Sequence, residues 1–311
     1  MEKIIKKNSN FPETVDDVLN LLSKEGYVAN KGLATSLLLS MKLKRPLLLE
    51  GKSGVGKTEL AKSLSKQLGR DLLKLQCYEG LGVNEAIYDW NYPAQLLAVK
   101  LSEFSHKDSN LLEDNLFSDK FLIKRPLLES LMGSNGNSPI LLIDEIDRAD
   151  SAFEAILLEI LSEYQFTIPE YGIVKSLEPP LVIVTSNNTR EVHSALRRRC
   201  VYHYVDWPSI NDEKEILSNR IPEANKLISD GIKKFIHSLR KEFDGGEMPP
   251  LEEQKWASII VELDNFELEP KKISNAFKAY FRYKKELSIA EKSQVPEILR
   301  RAQLELEDLT R

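Results

Sequence analysis

Gly51-Lys52-Ser53-Gly54-Val55-Gly56-Lys57-Thr58 decides the reading of this 311-residue chain. The stretch fits the pattern G-x-x-x-x-G-K-[ST], and its flanks are those the pattern requires. Upstream, Arg45-Pro46-Leu47-Leu48-Leu49-Glu50 is a short apolar run bounded by a proline, which predicts a buried strand. Downstream, Glu59 leads into Leu60, Ala61, Leu64 and Leu68, the spacing of an amphipathic helix. In a strand–loop–helix setting the glycines let successive backbone N–H groups curl toward phosphate oxygens. The helix behind contributes its positive N-terminal end. Lys57 would reach the β- and γ-phosphates of ATP, and Thr58 would place its hydroxyl on Mg2+. The bland alternative, a Gly-rich turn before an ordinary helix, is disfavoured by the flanks. The candidate nucleotide-binding set is Gly51, Ser53, Gly54, Val55, Gly56, Lys57, Thr58 and Glu59.

A second stretch, Ile140-Leu141-Leu142-Ile143-Asp144-Glu145, reads as a parallel strand buried on both faces that ends in two carboxylates. Ligands of open α/β sheets bind at that end of the strands. Asp144 is the candidate Mg2+ ligand, through water, and Glu145 the candidate for polarising an attacking water. Two acids capping the next helix would be the structural reading. Leu181-Val182-Ile183-Val184-Thr185 predicts another buried strand, followed by Ser186-Asn187-Asn188. Asn187 is either a water-positioning amide or a turn asparagine. Arg197-Arg198-Arg199 end a short helix predicted from Glu191 to Leu196. They either complement its dipole or supply an arginine finger to a neighbouring subunit.

The remaining chain fits a helix over Thr14–Ser23, a second from Gly32 to Lys44, and a strand over Asp71–Cys77. A helix is expected to start over Glu85–Trp90 and to be interrupted at Asn91-Tyr92-Pro93, with a polar loop over 102–120. Helix returns over Leu122–Leu131 and over Ser151–Tyr164. A β-hairpin is expected from Gln165-Phe166-Thr167-Ile168 and Gly172-Ile173-Val174 around Pro169. Tyr27 and Val28, before the second helix, are either adenine contacts or a hydrophobic staple. Past Pro208 strand signals stop and helical runs alternate, so a separate all-helical domain of about a hundred residues is expected. The expected fold class is α/β: a three-layer αβα nucleotide-binding domain over 11–208, with a central parallel sheet and a helix–hairpin insert, and a helical lid over 209–311.

Hydrophobic content of 42% and charged content of 29% are those of a globular protein. A net charge of −5 disfavours nucleic acid as a partner. Cys77 and Cys200 lack metal-ligand spacing and fit a reducing compartment. No apolar run approaches roughly 18 residues, the minimum for a membrane span. Met1–Asn10 is a charged, mobile lead without a secretory core, so a cytoplasmic protein is expected.

In this order, the phosphate loop, Ile140–Glu145 and Thr185-Ser186-Asn187 resemble an AAA+ ATPase with its helical lid. Asp144-Glu145-Ile146-Asp147-Arg148-Ala149, followed by a helix and hairpin over Leu157–Pro180, is similar to the MoxR branch. Gln76-Cys77-Tyr78-Glu79-Gly80, Trp90-Asn91-Tyr92 and Ala195-Leu196-Arg197-Arg198-Arg199-Cys200 resemble the CoxD-type proteins. Those accompany molybdenum-containing carbon monoxide dehydrogenases and related hydroxylases and are implicated in maturing their metal site. The resemblance covers residues 11–210 well and the lid loosely. It implies Mg-dependent ATP hydrolysis between main domain and lid, with Asn187 as γ-phosphate sensor. It implies Arg198 as the finger, with Arg199 as alternative or co-worker. It further implies a hexameric ring, a protein client such as a molybdenum enzyme, and a partner with a von Willebrand A domain. The family's lid arginine has no counterpart in Pro249–Trp256, where Lys255 is the nearest cation and is not equivalent to it. Three rival functions follow from the same residues: a non-hydrolysing nucleotide switch, which Glu145 disfavours; a DNA-directed motor, which the charge disfavours; and a metal-chelatase subunit, which shares the hairpin insert.

Overall fold

A computed structural model describes residues 11–105, 116–133 and 138–208, together with Asp212 and Ile216. The expected lead over 1–10, the lid helices and the Pro249–Trp256 segment lie outside the described residues. Apart from Ser53–Val55, the described residues up to Asp206 form one compact unit.

Five strands make its central sheet: β1 (Leu47–Glu50), β2 (Leu72–Gln76), β5 (Ile140–Asp144), β8 (Leu181–Ser186) and β9 (Val201–Tyr204). Their order is β2-β5-β8-β1-β9, and every neighbouring pair is parallel. β1, β5 and β8 are buried throughout. Alternation along them fills two cores. Leu48, Leu141, Ile143, Val182 and Val184 face one, and Leu47, Leu49, Ile140, Leu142, Leu181 and Ile183 face the other. Side chains that alternate across a doubly covered sheet explain why these strands read as unbroken apolar runs.

The second core takes α1 (Val15–Ser23), α2 (Lys31–Leu43) and α3 (Lys57–Leu68). Thr14 and Asp17 close a capping box on α1, and the Asn30 side chain caps α2 through Leu33 N. α3 starts at Gly56 (φ 96°) and stops at Gly69 (φ 61°), both in the left-handed region that favours glycine. The first core takes α6 (Pro126–Met132), α7 (Ser151–Glu163) and Leu196 of α8 (Ser194–Arg199).

Between β2 and β5 the expectations need correction. Glu85–Trp90 is not a helix start: a short α4 (Val83–Ala86) gives way to β3 (Tyr88–Trp90). β3 pairs antiparallel with β4 (Leu122–Lys124), at the start of the expected 122–131 helix. Trp90 is buried there, opposite Leu122 and edge-on to Phe117 of the preceding turn at 5.2 Å, and this strand pairing with its aromatic packing overrides helical spacing. Asn91-Tyr92-Pro93 starts a helix instead of interrupting one. α5 (Tyr92–Ser105) begins there, with the Asn91 side chain accepting from Ala94 N. The hairpin forms as expected, β6 (Gln165–Ile168) against β7 (Gly172–Lys175), with Pro169 in the turn. α8 begins three residues later than Glu191, at Ser194, because Glu191 and Val192 belong to the loop leaving β8.

Candidate active site

The C-terminal ends of β1, β5 and β8 lie side by side, with α3 leading off behind the first. Gly54 (φ 85°) and Gly56 (φ 96°) turn the loop after β1 through conformations that L side chains rarely adopt. Among the described residues no protein acceptor takes the backbone N–H of Ser53, Gly54, Gly56 or Lys57. Such a row of free donors at a helix start is the chemistry of an anion cradle, so the loop fits a nucleotide's phosphates. Gly51 is a glycine for another reason: a Cβ there would lie 2.2 Å from the Val205 carbonyl oxygen, because the chain leaving β9 crosses close by.

Lys57 Nζ donates to Gly51 O (2.6 Å), Lys52 O (2.7 Å) and Asn187 Oδ1 (2.9 Å). Burial pushes its pKa down to about 8, against the pull of Asp147, Asp144 and Glu145. Thr58 Oγ1 donates to Asp144 Oδ1 at 3.0 Å, and Thr185 Oγ1 donates to the same oxygen at 2.7 Å. Lys74 Nζ lies 2.7 Å from Asp144 Oδ2. Burial alone would raise the Asp144 pKa, but donation from Lys74, Thr185 and Thr58 holds it below the usual carboxylate range. Thr58 and Asp144 thus present an adjacent hydroxyl and carboxylate, an all-oxygen pair suited to Mg2+ with water completing its shell.

Glu145 follows β5 in the left-handed region (φ 57°, ψ 54°), unusual for a side-chain-bearing residue and frequent where a site stores strain. Its N–H donates to Thr185 Oγ1 (2.9 Å). Its Oε1 accepts from Asn187 Nδ2 (3.1 Å), and its Oε2 accepts from Gln76 Nε2 and from Arg148 NH1, each at 3.0 Å. The Asn187 amide therefore bridges the loop lysine to the strand-end glutamate. Asp147 fixes that amide's backbone: its Oδ1 accepts from Asn187 N (3.1 Å), and its Oδ2 from Thr189 N (3.0 Å) and Thr189 Oγ1 (2.5 Å). Buried Glu154 accepts from Arg190 and from His193 N (2.7 Å), tying α7 to the loop after β8.

Other candidates take different places. Tyr27 meets the phosphate loop, its hydroxyl donating to Gly56 O at 3.4 Å, and packs against the core beneath α3. Burial and then the Glu59 charge raise its pKa. Val28 is half-buried beside it. Of the three arginines, Arg197 pairs with buried Glu50 at 3.3 Å and lies 4.7 Å over the Tyr202 ring. Arg199 NH1 donates to Leu158 O at 3.0 Å. The Arg198 side chain is exposed and makes no hydrogen bond or ion pair with any described residue.

Sequence reasoning passed over Lys74, Arg148, Thr185 and Asp147. Lys74 left a signal: it is the one cation inside Leu72-Leu73-Lys74-Leu75-Gln76, two residues from a polar partner on the same face. No helix among the described residues is long and apolar enough to cross a membrane.

Comparison with known proteins agrees with this geometry. Residues 46–200 match the AAA domain of the dynein-related subfamily. The Lon protease 1 of Syntrophobacter fumaroxidans is 24% identical over 237 residues, 70% of this chain and 26% of that protein. The peroxisomal Lon protease homolog 2 of Pichia angusta is 30% identical over 205 residues, 61% of this chain and 19% of that protein. The chain thus spans about a quarter or less of the length of these Lon proteases. A crystal structure from Cytophaga hutchinsonii, provisionally described as an ATPase, aligns with a TM-score of 0.47 at 18% identity, over 78% of this chain and 72% of that one. The matched stretch, 46–200, includes the phosphate loop and the strand-end acids described above, and what it resembles is an AAA domain.

Proposed function

We propose that ATP hydrolysis by this AAA domain drives remodelling of a protein client, and that each site is completed by Arg198 of an adjacent copy. The observation that carries this reading is the contrast along Arg197-Arg198-Arg199. Two arginines are spent within the subunit and the middle one is exposed with no partner among the described residues. A guanidinium left free beside two anchored ones is presented outward for use elsewhere.

In this reading the loop amides and Lys57 hold the triphosphate, and Thr58 with Asp144 would hold Mg2+, which supplies charge neutralisation at the β- and γ-oxygens. Glu145 accepts the proton of the attacking water. Asn187 orients that water through Oδ1, which accepts from it once Lys57 has turned to the γ-phosphate. Arg198 in trans stabilises charge on the leaving oxygens, while Arg199 stays anchored to Leu158 O.

The similarity to proteins named as proteases favours a polypeptide client over DNA, as does the net charge of −5. The MoxR resemblance extends the proposal to a hexameric ring acting with a von Willebrand A-domain partner. The CoxD-type residues extend it to maturation of a molybdenum hydroxylase. Cys77 and Cys200 are unpaired, with burial raising both thiols to about 12, which suits a reducing cytoplasm.

The test is ATP turnover per subunit against protein concentration. Specific activity should climb with concentration for the native chain and stay flat for Arg198→Ala, with nucleotide affinity unchanged. Turnover independent of concentration would overturn the shared site. DNA-stimulated turnover would favour the motor, and ATP-dependent metal insertion into a tetrapyrrole the chelatase.

A further inference from the structure

We propose that Lys74 is a resident counter-ion of the metal site, its ammonium already held by Asp144, so that nucleotide-bound metal enters against that charge and displaces it. The inference rests on the reading of Asp144 as metal ligand and adds a competitor to it.

The two Asp144 oxygens have different partners. Oδ1 accepts from Thr58 and Thr185, both hydroxyls fixed by buried or half-buried backbone. Those bonds are compatible with a metal on the neighbouring side, since the hydroxyl of Thr58 can donate to Oδ1 while its lone pairs face a cation. Among the described residues Oδ2 has Lys74 Nζ alone, at 2.7 Å. β2 is an edge strand of the sheet, and along it Leu73 and Leu75 serve the first core while Leu72 packs on the second. Alternation puts Lys74 on the face of Leu72, the α3 side, from which the phosphate loop also approaches Asp144.

The ammonium is held by charge rather than by enclosure. Asp144 is 8% exposed in its side chain, whereas that of Lys74 is 46% exposed. A lysine with an open route to water can leave without stranding a buried charge. An ammonium 2.7 Å from Asp144 Oδ2 and a dication held by the same carboxylate repel each other, so each weakens the other's hold. The consequence is a site whose acid is neutralised before metal arrives and which exchanges one positive charge for another on loading.

The experiment titrates Mg2+ against a fixed concentration of fluorescent ADP analogue on the full chain after chelator treatment. It reads the Mg2+ midpoint for nucleotide binding, which needs no turnover. Lys74→Met, which keeps the aliphatic stem, should lower the midpoint about three- to tenfold, the range a partly exposed ion pair can supply. Lys74→Arg should leave it near the native value, and melting curves should show both variants folded. A midpoint for Lys74→Met that is unchanged or higher overturns the competition, with Asp144 retained as metal ligand. Native binding indifferent to Mg2+ overturns the metal reading of Asp144 and the competition together. In that case Lys74 is a structural partner only.

Discussion

The ends of β5 and β8 and the end of α8 both carry charged groups of the candidate site, and they hold them in opposite ways. At the strand ends every group is engaged within the subunit: Lys57 to Asn187, Asn187 to Glu145, Glu145 to Gln76 and Arg148, Asp144 to Thr58, Thr185 and Lys74. At the end of α8 two arginines are anchored and Arg198 is not. A closed network sets geometry before substrate arrives. An open cation is complete only when something else arrives. On the proposed reading the difference assigns preorganisation to one copy and the trigger to the contact between copies.

The strongest way to break that division is to mix subunits. Arg198→Ala alone should lower kcat by about 10³-fold or more, and Glu145→Gln should abolish turnover while retaining ATP. Mixed in equal amounts, the two should regain roughly a quarter of native activity, the fraction of sites pairing an intact Glu145 with an intact Arg198 if the finger acts in trans. No recovery, measured as phosphate release, would put both residues in one subunit's site. Next in size is Asn187→Ala. It removes both halves of the bridge, and loss of one preorganised donor typically costs about 10²–10³ in kcat. Single-turnover hydrolysis should fall by that factor while ADP affinity changes little. A loss confined to ADP affinity would reduce Asn187 to a support for Lys57.

How much of this was legible differs by region for a physical reason. β1, β5 and β8 are covered on both faces, so their apolar runs announce strands regardless of context, and the acids at the end of β5 follow from topology. The loop glycines declare left-handed turns, although Gly51 is fixed by the backbone of Val205 rather than by phosphate. Tyr88–Trp90 and Leu122–Lys124 were illegible because each is stabilised by the other across some thirty residues of chain. Short segments with mixed spacing are decided by such pairing, not by their own pattern. In the site, types that motifs name were found, and types that act through them were not. Thr185 and Asp147 look like ordinary strand-end and helix-start residues until their oxygens are seen to fix Glu145 and Asn187. Arg197-Arg198-Arg199 were interchangeable as letters, and burial of Glu50 is what separates the first from the second.

A milder test acts on the closed side. With the Lys57 pKa lowered to about 8 by burial, the free site loses its ammonium as pH rises through that value. Phosphate contact favours the charged form, so nucleotide binding above pH 8 must take up a proton. Affinity for ADP should weaken up to about tenfold per pH unit above 8. Calorimetry in buffers of different ionisation enthalpy should show proton uptake there and little at pH 7. Lys57→Met should abolish the uptake. Uptake that persists in that variant would assign the proton to another group.

The smallest expected effect falls on the anchored arginine. Arg197 is 39% exposed in its side chain, so its pair with Glu50 is screened and supplies about 1 kcal/mol or less, and its position over Tyr202 adds about 0.5–1 kcal/mol. Against that, Arg197→Ala leaves Glu50 at the end of β1 with one fewer donor, directly before the phosphate loop. The melting temperature should therefore fall by about 2–4 °C, with turnover per folded subunit close to native and concentration dependence retained. Arg198→Ala should do the reverse, leaving the melting temperature alone and removing the concentration dependence. If instead Arg197→Ala removes the concentration dependence without touching stability, the anchored and the presented arginine have been assigned the wrong way round. Glu50 would then be the group that releases the finger.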